Sequence, residues 1–229
     1  MEQPLVSVII PYYKGEKYIT ETLESLFKQN YPNLEVIVVN DESPEETLSV
    51  LRAYGDKIKI ITQKNQGQAA ARNTGIKLAK GSVIAFTDQD DIWVENSLKN
   101  MIPFITGNNE EKKEYDVVRG MTHVFRINEN GETVVIETLH HPILIGAAIY
   151  KRKVFDVAGF FEPNMRIGED FDWNAKVREC KLEEKRIPDV TFWYRRHDNN
   201  QSSQKDFIKI GQFDSIRKKL ARARSTTLE

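Results

Sequence analysis

Ser82-Val83-Ile84-Ala85-Phe86-Thr87-Asp88-Gln89-Asp90-Asp91 runs from a short apolar segment into three carboxylates within four positions. An unbroken apolar run of this length reads as a buried strand. The acids that end it repel one another strongly unless a cation sits among them. If the backbone stays extended beyond Phe86, Asp88 and Asp90 project to the same side. A hard divalent cation prefers such oxygen ligands and commonly bridges carboxylates to substrate phosphates. The competing reading is a solvated acidic turn, with Asp91 as the N-cap of a helix entered by Ile92-Trp93.

The segments before this stretch follow the same pattern. Val6-Ser7-Val8-Ile9-Ile10 is an apolar strand stopped by Pro11. Residues 16–28 carry Tyr18, Ile19, Leu23, Leu26 and Phe27 at helical spacing. Tyr31-Pro32-Asn33 is a turn. Val36-Ile37-Val38-Val39 is a second strand, ending at Asn40-Asp41. Ser43 is the predicted N-cap of the next helix, with Pro44 at its first position. Ile58–Ile61 reads as a third strand, and residues 67–79 and 95–106 as helices. Repeated β-α units with fully apolar strands predict an α/β fold with a parallel sheet and helices on both faces. Such sheets bind ligands at the carboxyl ends of their strands. The polar clusters after Ile10, Val39 and Phe86 fall there.

The pattern downstream is less regular. Residues 115–119 read as a strand. Residues 122–127 and 132–137 flank Asn128-Glu129-Asn130-Gly131, a hairpin signal. Residues 151–158 and 170–182 read as helices, and Thr191–Arg195 as a late strand. With no internal repeat, the expectation is one domain over 1–204, divided into a donor half (1–107) and an acceptor half (108–204). Residues 205–229 follow as a basic amphipathic segment. In it, Phe207, Ile210, Phe213, Ile216 and Leu220 form a stripe beside Lys209, Arg217, Lys218, Lys219, Arg222 and Arg224.

The chain has 229 residues, 40% hydrophobic and 29% charged, within the range of globular proteins that can build a single core. Its net charge of −1 supplies no field that favours nucleic acid, and none is expected as a partner. The single cysteine, Cys180, rules out an internal disulfide and fits a reducing compartment; it reads as a partly buried helix residue. No apolar run approaches the ~20 residues needed to span a bilayer. No basic stretch precedes Leu5, so no signal peptide is expected. The expected location is cytoplasmic, at the inner face of the membrane if 205–224 touches anionic lipid. The alternative packs that helix back on the domain. The closing Leu228-Glu229 pair reads as a vector scar, in which case the natural chain continues past 227.

Neither G-x-x-x-x-G-K-[ST] nor G-x-G-x-x-G occurs. A bound diphosphate would therefore need a metal and basic side chains. Arg72 is a candidate, preceded by Gln66-Gly67-Gln68, where a glycine leaves room for the backbone to approach a ligand. Tyr13 is placed to stack on a base, and Asp41 to accept from a base N–H. Their competing readings are a surface cation, a loop aromatic and a turn acid. Trp93 and Trp173 flank the two acidic motifs and read either as core or as a wall of a sugar pocket. His123, His140 and His141 have no motif around them and read as structural.

Taken in order, Val8-Ile9-Ile10-Pro11-Tyr12-Tyr13, Glu35 through Ser43, Asn65-Gln66-Gly67 through Ala71-Arg72-Asn73, and Asp88-Gln89-Asp90-Asp91 resemble glycosyltransferase family 2. The resemblance extends over about residues 4–200. It implies a GT-A fold, which is a Rossmann-like, mostly parallel sheet with a smaller mixed acceptor-side region. It also implies an inverting mechanism and a metal-bound nucleotide-sugar donor, a UDP-sugar favoured, with Mn or Mg as cofactor. The acceptor implied is a sugar or lipid-linked hydroxyl in polysaccharide or glycoconjugate synthesis.

By position, the resemblance assigns Pro11 and Tyr13 to the base pocket and Asp41 to the base itself. Arg72 falls near the nucleotide. Asp90 contacts the metal, and Asp88 faces ribose or metal. His197 completes the metal or diphosphate site. Asp170 is the implied catalytic base, with Glu169 as the alternative, and Gly146 lies in an acceptor-side loop. One departure is Lys14, where many members carry Asn. Two other readings remain: a nucleotide-sugar nucleotidyltransferase, for which Pro11-Tyr12-Tyr13-Lys14-Gly15 is a poor phosphate loop, and a non-catalytic nucleotide-binding module.

Overall fold

The computed structural model describes residues 3–165, 167–198 and 200. Its first half alternates β1 (Val6–Tyr12), α1 (Ile19–Phe27), β2 (Leu34–Asp41), the short α2 (Ser49–Arg52), β3 (Lys59–Gln63), α3 (Gln68–Leu78) and β4 (Val83–Phe86). β5 (Ile92–Trp93) and α4 (Ser97–Thr106) follow. The second half holds β6 (Val117–Ile127), β7 (Thr133–Leu139), β8 (Ala148–Lys151), α5 (Lys153–Ala158), α6 (Glu169–Glu179) and β9 (Glu184–Arg195). One sheet joins both halves, in the order β3-β2-β1-β4-β8-β6-β9-β5, with β7 paired to β6. β3, β2, β1 and β4 form a parallel block. Beyond β4 the pairings are mixed.

Side chains alternate across the sheet and build two cores. Val6, Val8, Ile10 and Tyr12 of β1 meet Leu23 and Leu26 of α1 and Leu98, Met101 and Ile105 of α4 on one face. Ile9, Ile37 and Val39 meet Ala69, Ala71 and Ile76 of α3 on the other, where Phe155 and Trp173 also pack. Burial of these apolar surfaces is the main driving force for the layers. Among the described residues, no helix is long and apolar enough to cross a membrane. The basic amphipathic segment 205–222 lies outside the described residues.

The structure corrects several expectations. β1 does not stop before Pro11, which lies in register with Val39 of β2. The Ile9 carbonyl accepts from Thr87 N at 3.2 Å, so residue 9, and residue 11 two positions on, face the β4 side. β4 ends at Phe86, so the N–H that proline lacks has no ladder partner to lose. Ser43 is not an N-cap: the following turn has Pro44 at that position with no side-chain cap, and Ser43 Oγ accepts from Lys14 N instead. The strands expected over 115–119 and 122–127 are one strand, β6, which begins at Val117. β9 begins well before Thr191. Its pairing with β6 jumps from Arg186 to Val190 while β6 advances only from Arg119 to Met121, so the segment holding Pro188 bulges out of the ladder. β8, hidden in an apolar stretch without alternation, was not anticipated by periodicity.

The end of the sheet opposite the acidic cluster is tied by Glu35. Its buried carboxylate accepts from Ser7 Oγ, Lys59 Nζ and, at 2.8 Å, Lys80 N. Burial disfavours its charge, but these donors outweigh it and hold the pKa below the usual 4.5. Stability from a lowered carboxylate pKa is present above 4.5 and is lost as the pH falls through the lowered value. Glu35→Ala should therefore lower the denaturant midpoint, by about 1–3 kcal/mol for each buried donor left unpaired. In Glu35→Gln the loss of stability below pH 4.5 should be shallower than in wild type. Identical acid limbs would show that Glu35 does not carry this coupling.

Candidate active site

The acidic cluster closes a turn rather than continuing β4. Asp91 N donates to the Asp88 carbonyl at 3.3 Å, so Asp88 and Asp90 do not share one face of an extended strand. Nor does Asp91 cap a helix. It is buried, and its Oδ1 accepts from Arg195 N at 2.8 Å, binding the turn to the end of β9. Burial, then the charges of Asp90 and Asp88, push the Asp91 pKa well up. Burial and Asp88 also raise Asp90, against the pull of His197. His197 Nε2 lies 2.8 Å from Asp90 Oδ2, so the structure brings these two predicted ligands together. The imidazole stacks on Tyr18, with ring centres 4.9 Å apart.

Sequence reasoning missed Arg195, which organises this corner. It is buried; its Nε donates to the Asp90 carbonyl at 2.8 Å and its Nη2 to Glu21 at 2.6 Å. Its guanidinium lies over Tyr18 and Phe125, 4.9 and 4.8 Å from the ring centres. The only sequence signal was a cation two residues before His197.

Arg72 is not a surface cation. Only 2% exposed, it is carried inward by α3 against the sheet. Nη2 reaches Asp88 Oδ1 at 2.8 Å, and Nη1 reaches Glu169 Oε1 at 2.6 Å. Burial disfavours the charge, but Asp88, Glu169 and Asp170 more than offset this and raise its pKa. Asp88 also accepts from Gln68 Nε2 at 2.6 Å. Glu169 and Asp170 open α6 after Gly168, whose φ of 76° turns the chain into the helix. Glu169 is thus paired, while among the described residues Asp170 has no salt bridge; its Oδ1 accepts from the Phe171 N–H in the next peptide, at 2.8 Å. Burial, then the Glu169 charge, push the Asp170 pKa up to about 7 despite Arg72.

The loops on the nucleotide side are stitched together. Asp41 accepts from Gln63 Nε2 and Gly67 N at 2.8 Å and from Gln66 N at 3.0 Å. Much of its acceptor capacity therefore holds the turn into α3, where Gly67 takes a φ of 90° open to glycine. Pro11 is buried within β1, whereas Tyr13 is 44% exposed. Lys14 has a φ of 51°, in the left-handed region that asparagine tolerates better than most residues, and its ammonium sits 5.2 Å from the Tyr13 ring centre.

Two predicted acceptor-side residues are core. Trp173 is fully buried, stacked on Phe155 at 4.9 Å, with Nε1 donating to the Gly159 carbonyl at 2.8 Å. It does not wall an open pocket, because its ring is enclosed by Tyr150, Phe155 and Phe161. Trp93 is likewise buried. Gly146 lies in a tight 3₁₀ turn beneath Phe192, where a Cβ would come within 2.4 Å of the ring. Close packing, not an open loop, accounts for the glycine.

Among the described residues, no three His, Cys, Asp or Glu side chains are gathered as a complete metal cage. Asp90 and His197 instead offer one carboxylate and one imidazole, a partial set that suits a cation shared with phosphate oxygens.

The comparisons agree with this geometry. Residues 7–166 match the description of glycosyl transferase family 2. A Rickettsia prowazekii (strain Madrid E) protein named as an uncharacterized glycosyltransferase is 30% identical over 183 residues, covering 74% of this chain and 57% of its own length. An Escherichia coli protein, the UDP-Glc:alpha-D-GlcNAc-diphosphoundecaprenol beta-1,3-glucosyltransferase WfgD, is 42% identical over 120 residues, covering 48% of this chain and 47% of its own. The crystal structure of S. aureus TarS 1-349 in complex with UDP-GlcNAc superposes with a TM-score of 0.68 at 26% identity, over 87% of this chain and 61% of that one. The chain thus spans about half to three-fifths of the length of these relatives. Its architecture is that of GT-A glycosyltransferases. In sequence pattern and in fold alike, the chain belongs to glycosyl transferase family 2.

Proposed function

We propose that this chain transfers a sugar from a nucleoside-diphosphate donor, a UDP-sugar by preference, to a hydroxyl acceptor with inversion. The observation that carries the reading is the Arg72 bridge from Asp88 at the tip of β4 to Glu169 at the start of α6. It supports a donor site and a general base side by side at the carboxyl ends of the parallel strands, where such sheets bind ligands. TarS is crystallised with UDP-GlcNAc and WfgD carries UDP-Glc in its name, which supports the choice of uridine. WfgD also names a diphosphoundecaprenol-linked sugar, which supports a lipid-linked acceptor in glycoconjugate synthesis.

Each residue then has a role set by its surroundings. Tyr13 offers an exposed ring to the base. Asp41 keeps the loop at Gln66 and Gly67 in place and accepts from the base edge. Asp88, oriented by Arg72 and Gln68, faces the ribose. Asp90 and His197 would hold a divalent cation, Mn or Mg. When bound, that cation supplies charge stabilisation to the departing diphosphate. Asp170 takes the proton of the acceptor hydroxyl during attack from the opposite face. Glu169 serves less well as a base, because Arg72 holds it as a paired carboxylate. A carboxylate titrating near neutrality is matched to that task.

Three measurements test these assignments. Asp170→Asn should keep UDP binding and lose ~10²–10⁴-fold in transfer; undiminished turnover would eliminate it as the base. The base acts when deprotonated, so kcat/KM should rise with pH through a midpoint near the pKa of about 7 set by burial and Glu169. That limb should be missing from the residual activity of Asp170→Asn. Calorimetry should show UDP binding that strengthens with Mn²⁺ and reverts with chelator, a dependence absent in Asp90→Ala. Chelator-insensitive UDP binding by wild type would end the metal assignment.

A further inference from the structure

Gln89, the residue between the two assigned aspartates, bonds to the loop after β1. Its Oε1 accepts from Tyr13 N at 2.8 Å, and its Nε2 donates to the Tyr13 carbonyl at 3.1 Å. One carboxamide thus pairs both main-chain groups of Tyr13, as a neighbouring strand would. The rest of the loop is arranged around that contact. At Gly15 a Cβ would come within 2.3 Å of Gln89 Oε1, so the glycine leaves the space that the carboxamide fills. Lys14 N is held from the other side by Ser43 Oγ at 3.0 Å. The Gln89 carbonyl accepts from Thr22 Oγ1 of α1 at 3.0 Å, which anchors the clamp to a helix.

What this clamp orders is a ring that the fold does not otherwise use. Tyr12 is fully buried, yet Tyr13 next to it leaves 44% of its surface to solvent. Hydrogen bonds at an exposed loop add little to stability, because water competes for both partners. They do remove backbone freedom before a ligand arrives, and such preorganisation raises affinity without any new contact to the ligand.

We infer that Gln89 is a positioning residue for the base end of the donor: it holds the Tyr13 main chain so that the ring is already placed to stack. The inference rests on the nucleotide-sugar reading above and divides the acidic turn by task. Asp88 and Asp90 serve ribose and diphosphate, while the residue between them serves the base without touching it.

The test uses the full chain and compares wild type, Gln89→Ala, Gly15→Ala and the double variant. UDP and inorganic pyrophosphate serve as separate probes with Mg²⁺ present. Gln89→Ala should bind UDP roughly 5- to 100-fold more weakly, the range expected from losing two ordinary hydrogen bonds. Its pyrophosphate binding should stay within about twofold of wild type, because the carboxamide it loses bonds the Tyr13 main chain, while the Gln89 carbonyl still anchors the acidic turn to Thr22. With a UDP-sugar donor, KM should rise while kcat at saturation holds. The Tyr13 amide should also exchange faster with solvent in free Gln89→Ala, a readout that needs no nucleotide. Gly15→Ala should reproduce the UDP defect, and the double variant should be no worse than either single one, because both changes break one contact.

UDP affinity in Gln89→Ala equal to wild type, equal losses for UDP and pyrophosphate, or an unchanged Tyr13 amide would each overturn the inference. A wild-type chain that binds no nucleoside diphosphate would instead bring down the donor reading on which the inference stands.

Discussion

A guanidinium buried at the carboxyl ends of the strands constrains the rest of the site. Taking Arg72 out of water is unfavourable unless carboxylates and hydrogen bonds replace the lost solvent. Asp88 and Glu169 supply them, from the tip of β4 and from the first turn of α6. The two halves of the chain therefore cannot be positioned independently. Where α3 carries Arg72, the acids of α6 follow. The same pairing separates two neighbouring carboxylates that differ little in sequence. Glu169 is tied to a fixed positive charge, whereas the pKa of Asp170, half-buried beside that glutamate, is pushed up to about 7. Environments that drive paired acids apart assign them different work.

Around this centre, the loops at one end of the sheet are linked by polar contacts rather than by apolar packing. Asp41 holds the start of α3, Ser43 holds Lys14, and Gln89 holds Tyr13. Arg195 fastens β9 to the acidic turn and so places His197 beside Asp90. Backbone groups at strand ends have lost their ladder partners, and each loop borrows a side chain from the next one. At the opposite end, the Glu35 network ties the starts of β1, β2 and β3 to the chain that leads into β4. The asymmetry matches the division of such folds into a stabilising end and a ligand-binding end.

Much of the fold was legible because parallel strands buried on both faces must be apolar throughout. Val36 to Val39 and Val83 to Phe86 advertise themselves in that way, and the acids that follow mark where the chain leaves the sheet. The motif series around Tyr13, Asp41, Arg72 and Asp88 identified the family for the same reason: strand-tip loops are where local sequence and chemistry coincide. The irregular half was harder. β8 lacks alternation, and Pro188 hides the first part of β9 because a proline reads against a central strand, and here β9 carries it only by bulging out of the ladder. Trp173 read equally well as core or as a pocket wall, since its neighbours in sequence are acids while its neighbours in space are Phe155 and Phe161.

By itself the sequence determined the order of strands and helices in the first half, the family, and the set of acids, cations and aromatics from which a site could be built. Those follow from local rules, namely period, turn chemistry and motif spacing. Only the tertiary structure decided which of those groups meet. It paired Arg72 with Glu169 rather than Asp170, bent the acidic run so that Asp91 serves β9 rather than a helix, and gave Gln89 to Tyr13. Contacts between residues far apart in the chain depend on how strands stack and where each loop turns back, and nothing in the local pattern encodes that distance.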